Sequence, residues 1–127
     1  MNRMQIATDQ APQAIGTYSQ GVRMGNLVFL TAQIGLSAES GELAIGVPAQ
    51  VEQVLENLQA VASAADATFE QVAKLTIYLT DLTCFGEVNS ALERYFKPPF
   101  PARASVGVSQ LALGAKVAID ATLVLDV

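Results

Sequence analysis

A chain of 127 residues, 51% hydrophobic and only 15% charged, is long enough for one domain with a real core and too short for a second. Its net charge of −5, with no run of Lys or Arg, excludes a phosphate-binding nucleic-acid surface, and the lack of histidine removes His triads, His metal sites and imidazole shuttles. A mean hydropathy of +0.36 exceeds what a small monomer needs, so the expected outlet for the surplus is an interface between copies of the chain.

No apolar run approaches the roughly 20 residues of a membrane span, and the N-terminus lacks a basic-then-apolar signal pattern. A cytoplasmic protein that touches no membrane is the expectation. Cys84 is the sole cysteine, which rules out an intrachain disulfide and a Cys-rich metal site. Chemistry is left to Arg, carboxylates, Tyr, Ser, Thr, backbone groups and held water.

In chain order, Met4-Gln5-Ile6-Ala7 reads as a short edge strand, and Asp9 to Gly16 as a loop punctuated by Pro12 and Gly16. Tyr18 to Met24 and Leu27 to Ala32 are extended runs separated by Gly25-Asn26, the pattern of a tight β-hairpin. Leu27 to Leu30 is continuously apolar, which predicts a strand covered on both faces. Tyr18, where the loop feeds the hairpin, is either a site hydroxyl or a structural tyrosine.

Ser37 to Val47 is loop-like. Pro48 suits a first helical position, and Val51, Val54, Leu55, Leu58, Val61, Ala62 and Ala65 follow at helical spacing. The opposite face of that helix, with Gln50, Glu52, Gln53, Glu56 and Gln59, is expected to be solvated. Val72 to Leu79 alternates, with Ala73, Leu75, Ile77 and Leu79 on one face and Lys74, Thr76 and Tyr78 on the other. Asp81 or Thr83 is placed to cap a second helix whose stripe is Phe85, Val88, Leu92 and Phe96. Asn89, near that stripe, is either exposed or reaches a neighbouring subunit.

Pro98, Pro99 and Pro101 stiffen the approach to Arg103-Ala104-Ser105-Val106-Gly107-Val108, because each ring fixes φ and biases the residue before it toward extended backbone. Alternation puts Arg103, Ser105 and Gly107 on one face, the glycine leaving open space. A guanidinium held there suits a small carboxylate, whose two oxygens match its planar fork. A solvated edge charge is the ordinary alternative. The last strand runs from about Ala115 to Leu125, with Val117, Ile119, Ala121 and Leu123 facing one way. The order β-β-β-α-β-α-β-β predicts an α+β fold, two helices on one face of a mixed sheet, spanning residues 1–127 as a single domain.

Ala11-Pro12 with Ile15-Gly16-Thr17-Tyr18-Ser19-Gln20-Gly21 resembles the N-terminal signature of the Rid (YjgF) family. Thr31-Ala32-Gln33-Ile34, Asp81-Leu82 with Phe85 and Val88-Asn89, and Phe100-Pro101-Ala102-Arg103 follow in the family's order, so the likeness covers nearly the whole chain. The resemblance implies a chorismate-mutase-like fold, a homotrimer with pockets between subunits, and an enamine/imine deaminase. Such an enzyme is a hydrolase that turns 2-aminoacrylate and related small 2-imino acids into 2-keto acids and ammonia. It implies no metal and no organic cofactor.

By the same resemblance Arg103 binds the substrate carboxylate, Tyr18 is a pocket tyrosine, and the backbone of Thr31 and Ala32 approaches the ligand. Ser105 stands where many members have cysteine and offers its carbonyl, and Asn89 is contributed from the adjacent chain. Ala118 occupies the position where deaminases of the family commonly carry glutamate. Asp120, on the same face about 6–7 Å along the strand, is the remaining acidic candidate. Ala32 replaces a usual glycine, and the loop before Phe100 is short. The implied alternative function is a weakly catalytic or non-catalytic trimer that binds small 2-keto carboxylates and regulates a partner.

Overall fold

A six-stranded mixed sheet carries two helices on one face. The structure, a computed structural model, describes residues 2–126, so the two ends of the expected 1–127 domain, residues 1 and 127, lie outside the described residues. The strands are β1 (Met4–Ile6), β2 (Gly21–Met24), β3 (Leu27–Ile34), β4 (Val72–Leu79), β5 (Ala102–Gly107) and β6 (Val117–Val124). The helices α1 (Val47–Ala64) and α2 (Phe85–Tyr95) follow β3 and β4. The spatial order is β1-β2-β3-β6-β4-β5, antiparallel throughout except for the parallel β4–β5 pair at one edge. This is the α+β order expected from the sequence.

Local chemistry accounts for the elements. Gly25, with φ +62°, opens the two-residue turn that pairs Met24 with Leu27. Pro48 stands in the first turn of α1, where its missing N–H costs no helical bond. Val51, Val54, Leu55, Leu58 and Val61 of α1 are fully buried against Val28, Leu30, Ile77, Ile119 and Leu123 of the sheet in one apolar cluster. Each such side chain contributes roughly 1.5–3 kcal/mol relative to exposure. Gly35 lets α1 approach closely, since a Cβ there would lie 2.8 Å from the Gln50 Cα.

Five expectations are corrected. Leu27 and Phe29 are 37% and 42% exposed, so β3 is covered on its helix side alone. With Val106 and Val124, each 40% exposed, they make the sheet's second face open and partly apolar. Gln50, assigned to the solvated side of α1, is buried: its Nε2 donates to the Ala44 carbonyl at 3.0 Å and its Oε1 accepts from the Lys116 amide at 2.8 Å. Ala73 is exposed, because the β4–β6 register shifts between Val72 and Lys74 and breaks the alternation there. Asp81 caps a separate 3-10 turn, Leu82–Cys84, by accepting from the Thr83 amide at 2.9 Å; α2 then starts with no side-chain cap. The space beside Gly107 is filled by Leu82, whose Cδ1 and Cγ lie 3.1 Å from where a Cβ would stand.

Candidate functional site

Arg103 is aimed by the strand that carries it. In the parallel β4–β5 pair, Arg103 is level with Leu75 and Ser105 with Ile77. Register partners project to the same side of a sheet, and Leu75 and Ile77 belong to the core beneath the helices. Arg103 and Ser105 therefore share the helix-covered face, as their alternation predicts. Because β5 is an edge strand, the guanidinium reaches past the sheet to α2, where its Nη1 donates to Asn89 Oδ1 at 2.6 Å.

These residues border a cleft of about 270 Å³. Its apolar surface comes from Leu75 of β4, Leu92 of α2 and Phe96, with Phe100 and Pro101 from the proline segment alongside. Its polar groups are Arg103, Asn89 and Glu93. Arg103 makes no ion pair among the described residues, leaving most of its donors for a ligand. A charged fork beside a small apolar basin is an arrangement for a short-chain carboxylate.

Two further groups of candidates lie elsewhere on the sheet. Thr31 and Ala32 sit where the β3–β6 register shifts between Leu30 and Gln33, a bulge that takes their backbone out of the β6 ladder. Level with it on β6, between Ile119 and Ala121, is Asp120. Tyr78 Oη donates to Asp120 Oδ2 at 3.0 Å, and this bond, more than burial, raises the Tyr78 pKa above its ordinary value. Ala118 is 4% exposed, paired with Ile34 on one side and Tyr78 on the other.

Tyr18 belongs to the far edge. It lines an open depression with Gln5, Thr8, Gln13 and Gly16 beside β1. Its loop is tied down by the buried Gln20, whose Nε2 donates to the carbonyls of Thr8, Ala11 and Pro12 and whose Oε1 accepts from the Thr8 amide. Four strand spacings, about 19 Å, separate β2 from β5.

Within one chain, then, Arg103 and Asn89 come together, Ser105 shares Arg103's strand face but is not among the residues lining the cleft, and Tyr18 lies at the opposite edge. Asp120 is on the opposite face from Arg103, because it pairs with Thr76 on the alternate side of β4. It shares Ala118's face but cannot meet its own chain's Arg103. Asn89, implied as an adjacent chain's contribution, is bonded to Arg103 of the same chain. Two residues were given no role in the sequence reading. Gln20 stood in the N-terminal signature, but its bonding carries no local signal, since its partners are 8 to 12 residues away. Glu93 had one: it lies four positions after Asn89, on the same side of α2.

Among the described residues no three His, Cys, Asp or Glu side chains gather as a metal site. Cys84 is half-buried, and burial pushes its thiol up, away from the reactive thiolate.

The family model described as Endoribonuclease L-PSP matches residues 8–125. The chain is similar to Protein DfrA of Myxococcus xanthus, 49% identical over 127 residues that make up 98% of this chain and 97% of that protein. It is also 40% identical to the 2-iminobutanoate/2-iminopropanoate deaminase of Mus musculus over 123 residues, 96% of this chain and 91% of the relative. Among solved structures, RidA from the Antarctic bacterium Psychrobacter sp. PAMC 21119 superposes with a TM-score of 0.94 at 42% identity, covering 97% of this chain and 100% of that one. With the motifs and the fold in agreement with these matches, the chain belongs to the Rid (YjgF) family, whose relatives include imine deaminases.

Proposed function

We propose that this protein is a cytoplasmic enamine/imine deaminase that hydrolyses 2-aminoacrylate and related small 2-imino acids to 2-keto acids and ammonia. One observation carries the reading. A guanidinium steadied by Asn89, and in no ion pair among the described residues, borders a small apolar cleft, which fits a carboxylate with a short side chain. An imine carbon next to that carboxylate is already electrophilic, so orientation and a placed water supply most of what the reaction needs. The chain's similarity to a protein named as such a deaminase supports the same reading.

The protein acts as a homotrimer of single Rid domains, with sites completed between subunits. Support comes from the separation of Tyr18, the Thr31–Ala32 bulge and Asp120 from Arg103 within one chain, and from the partly apolar open sheet face. A neighbouring copy set against the β5 edge brings the two halves together.

The deciding experiment follows hydrolysis of 2-iminobutyrate generated in situ, against the uncatalysed rate. Acceleration that disappears in Arg103→Ala is the expected result; equal rates for the two proteins discard the arginine clamp. A second reading, a 2-keto carboxylate binder that regulates a partner, is favoured by Ala118 at the position of the usual glutamate and by the engagement of Asp120 with Tyr78. It predicts tight 2-ketobutyrate binding with no rate acceleration. RNA cleavage is disfavoured by a net charge of −5 with only 7 Lys and Arg.

A further inference from the structure

We infer that Glu93 is the general base of this protein, taking the proton from the water that attacks the substrate and returning it to the departing nitrogen. The inference rests on the deaminase reading above. That reaction needs a proton acceptor beside the carbon bonded to the clamped carboxylate, and Ala118 offers none. Asp120, which only a neighbouring copy could bring to Arg103, is occupied by the Tyr78 hydroxyl. Among the described residues that line the arginine cleft, Glu93 alone carries a carboxylate.

Its placement suits the task. Asn89 and Glu93 are four residues apart on α2, so their Cβ atoms lie about 5–6 Å apart on one helix face. Asn89 marks the guanidinium end of the cleft at 2.6 Å, which sets Glu93 one helical turn along the same cleft wall. Glu93 is exposed and makes no ion pair among the described residues; its sequence neighbour Arg94 is turned instead to Glu52. The carboxylate is thus free to hold a water.

The proton balance closes without a co-reactant. Starting from the protonated imine, water oxygen bonds to C2, the C=N π pair moves to nitrogen, and one water proton passes to Glu93, giving a neutral carbinolamine centre. Glu93 then protonates the amino nitrogen. The C–N bond breaks with its pair leaving on ammonia, while the hydroxyl O–H pair becomes the new C=O bond and its proton returns to Glu93, to leave with ammonia as ammonium. Protonated imine and water become keto acid and ammonium, and the carboxylate is regenerated.

The test compares wild type, Glu93→Gln, Glu93→Asp and Asp120→Asn on 2-iminobutyrate generated in situ, each checked for an unchanged melting temperature, with 2-ketobutyrate affinity measured by calorimetry. Glu93→Gln is expected to lower kcat by about 10²–10⁴-fold with KM changed less than about threefold, and Glu93→Asp to restore part of the loss. If wild type is active and Glu93→Gln keeps its kcat, or raises only KM, the base assignment is overturned while the deaminase reading stands. A loss confined to Asp120→Asn likewise overturns it and moves the base to β6. If wild type binds 2-ketobutyrate yet shows no acceleration, the deaminase reading itself fails and this inference falls with it.

Discussion

Asn89 Oδ1 accepts a hydrogen bond of 2.6 Å from Nη1 of Arg103, although the two are 14 residues apart and on different elements. The bond fixes the direction of the guanidinium, because a long flexible side chain with one nitrogen anchored presents its other donors as a set. It joins α2 to the β5 edge at the cleft's polar end, and so couples the helix that carries Glu93 to the strand that carries Arg103.

Replacing the clamp tests its geometry as well as its charge. Arg103→Ala is expected to lower kcat/KM for 2-iminobutyrate by about 10²–10⁴-fold, since each hydrogen bond to a charged group contributes roughly 1.5–3 kcal/mol and the fork supplies two. Arg103→Lys retains the charge but loses the planar fork, and should fall between. Steady-state kinetics of the three proteins check this; a lysine variant equal to wild type defeats the bidentate picture.

Asn89→Ala removes the anchor and leaves the fork. Because Asn89 is exposed, stability should change by no more than about 0.5 kcal/mol. Affinity for 2-ketobutyrate should nevertheless fall by about tenfold, the weight of one charge-assisted bond. Calorimetric titration beside thermal melting separates the two effects, and unchanged affinity would show that Arg103 needs no positioning.

Gln50→Ala tests the unexpected burial on α1. The variant leaves the Lys116 amide and the Ala44 carbonyl without their side-chain partner, so it should cost about 1–3 kcal/mol in urea unfolding. Gln50→Glu keeps the acceptor for Lys116 but buries a carboxylate against the Ala44 carbonyl, and should cost more than the alanine. An alanine variant as stable as wild type would mean that solvent replaces both bonds.

Tyr95 and Glu52 predict the pH dependence of stability. Burial first, and the hydrogen bond to Glu52 second, push the Tyr95 phenol up to about 12. A raised folded pKa means stability that is present below the ordinary value of 10.0 and is lost as pH climbs from there toward about 12. Glu52 runs the other way: its bond to Arg94 holds its carboxyl below 4.5, so its contribution is present above that value and is lost as pH falls beneath it. Both partners of that pair are well exposed, which keeps the acid effect small. Denaturant unfolding from pH 3 to pH 11 is the measurement. Tyr95→Phe should flatten the alkaline decline, and an unaltered decline would assign it to other groups.

Elements and alternation were legible in the chain because each is a property of a short segment. The four-residue spacing of α1, the turn at Gly25-Asn26 and the shared face of Arg103 and Ser105 follow from backbone geometry over a few bonds. The motif around Phe100 to Arg103 likewise singled out Arg103, which the fold sets beside a cleft.

What no segment holds is its position relative to segments far away in the chain. The order β1-β2-β3-β6-β4-β5 sends Tyr18 and Arg103 to opposite edges, and the pairing of Asp120 with Thr76 sends it to the opposite face from Arg103. The same packing buries Gln50, brings Asn89 to its own chain's guanidinium and sets Glu93 in the same cleft. The sequence by itself determined the elements, their order and the strand face that carries Arg103, since local periodicity and steric rules act within each stretch. Only the tertiary structure decided which groups share the cleft, because strand register and helix docking are settled by apolar packing between residues distant in the chain.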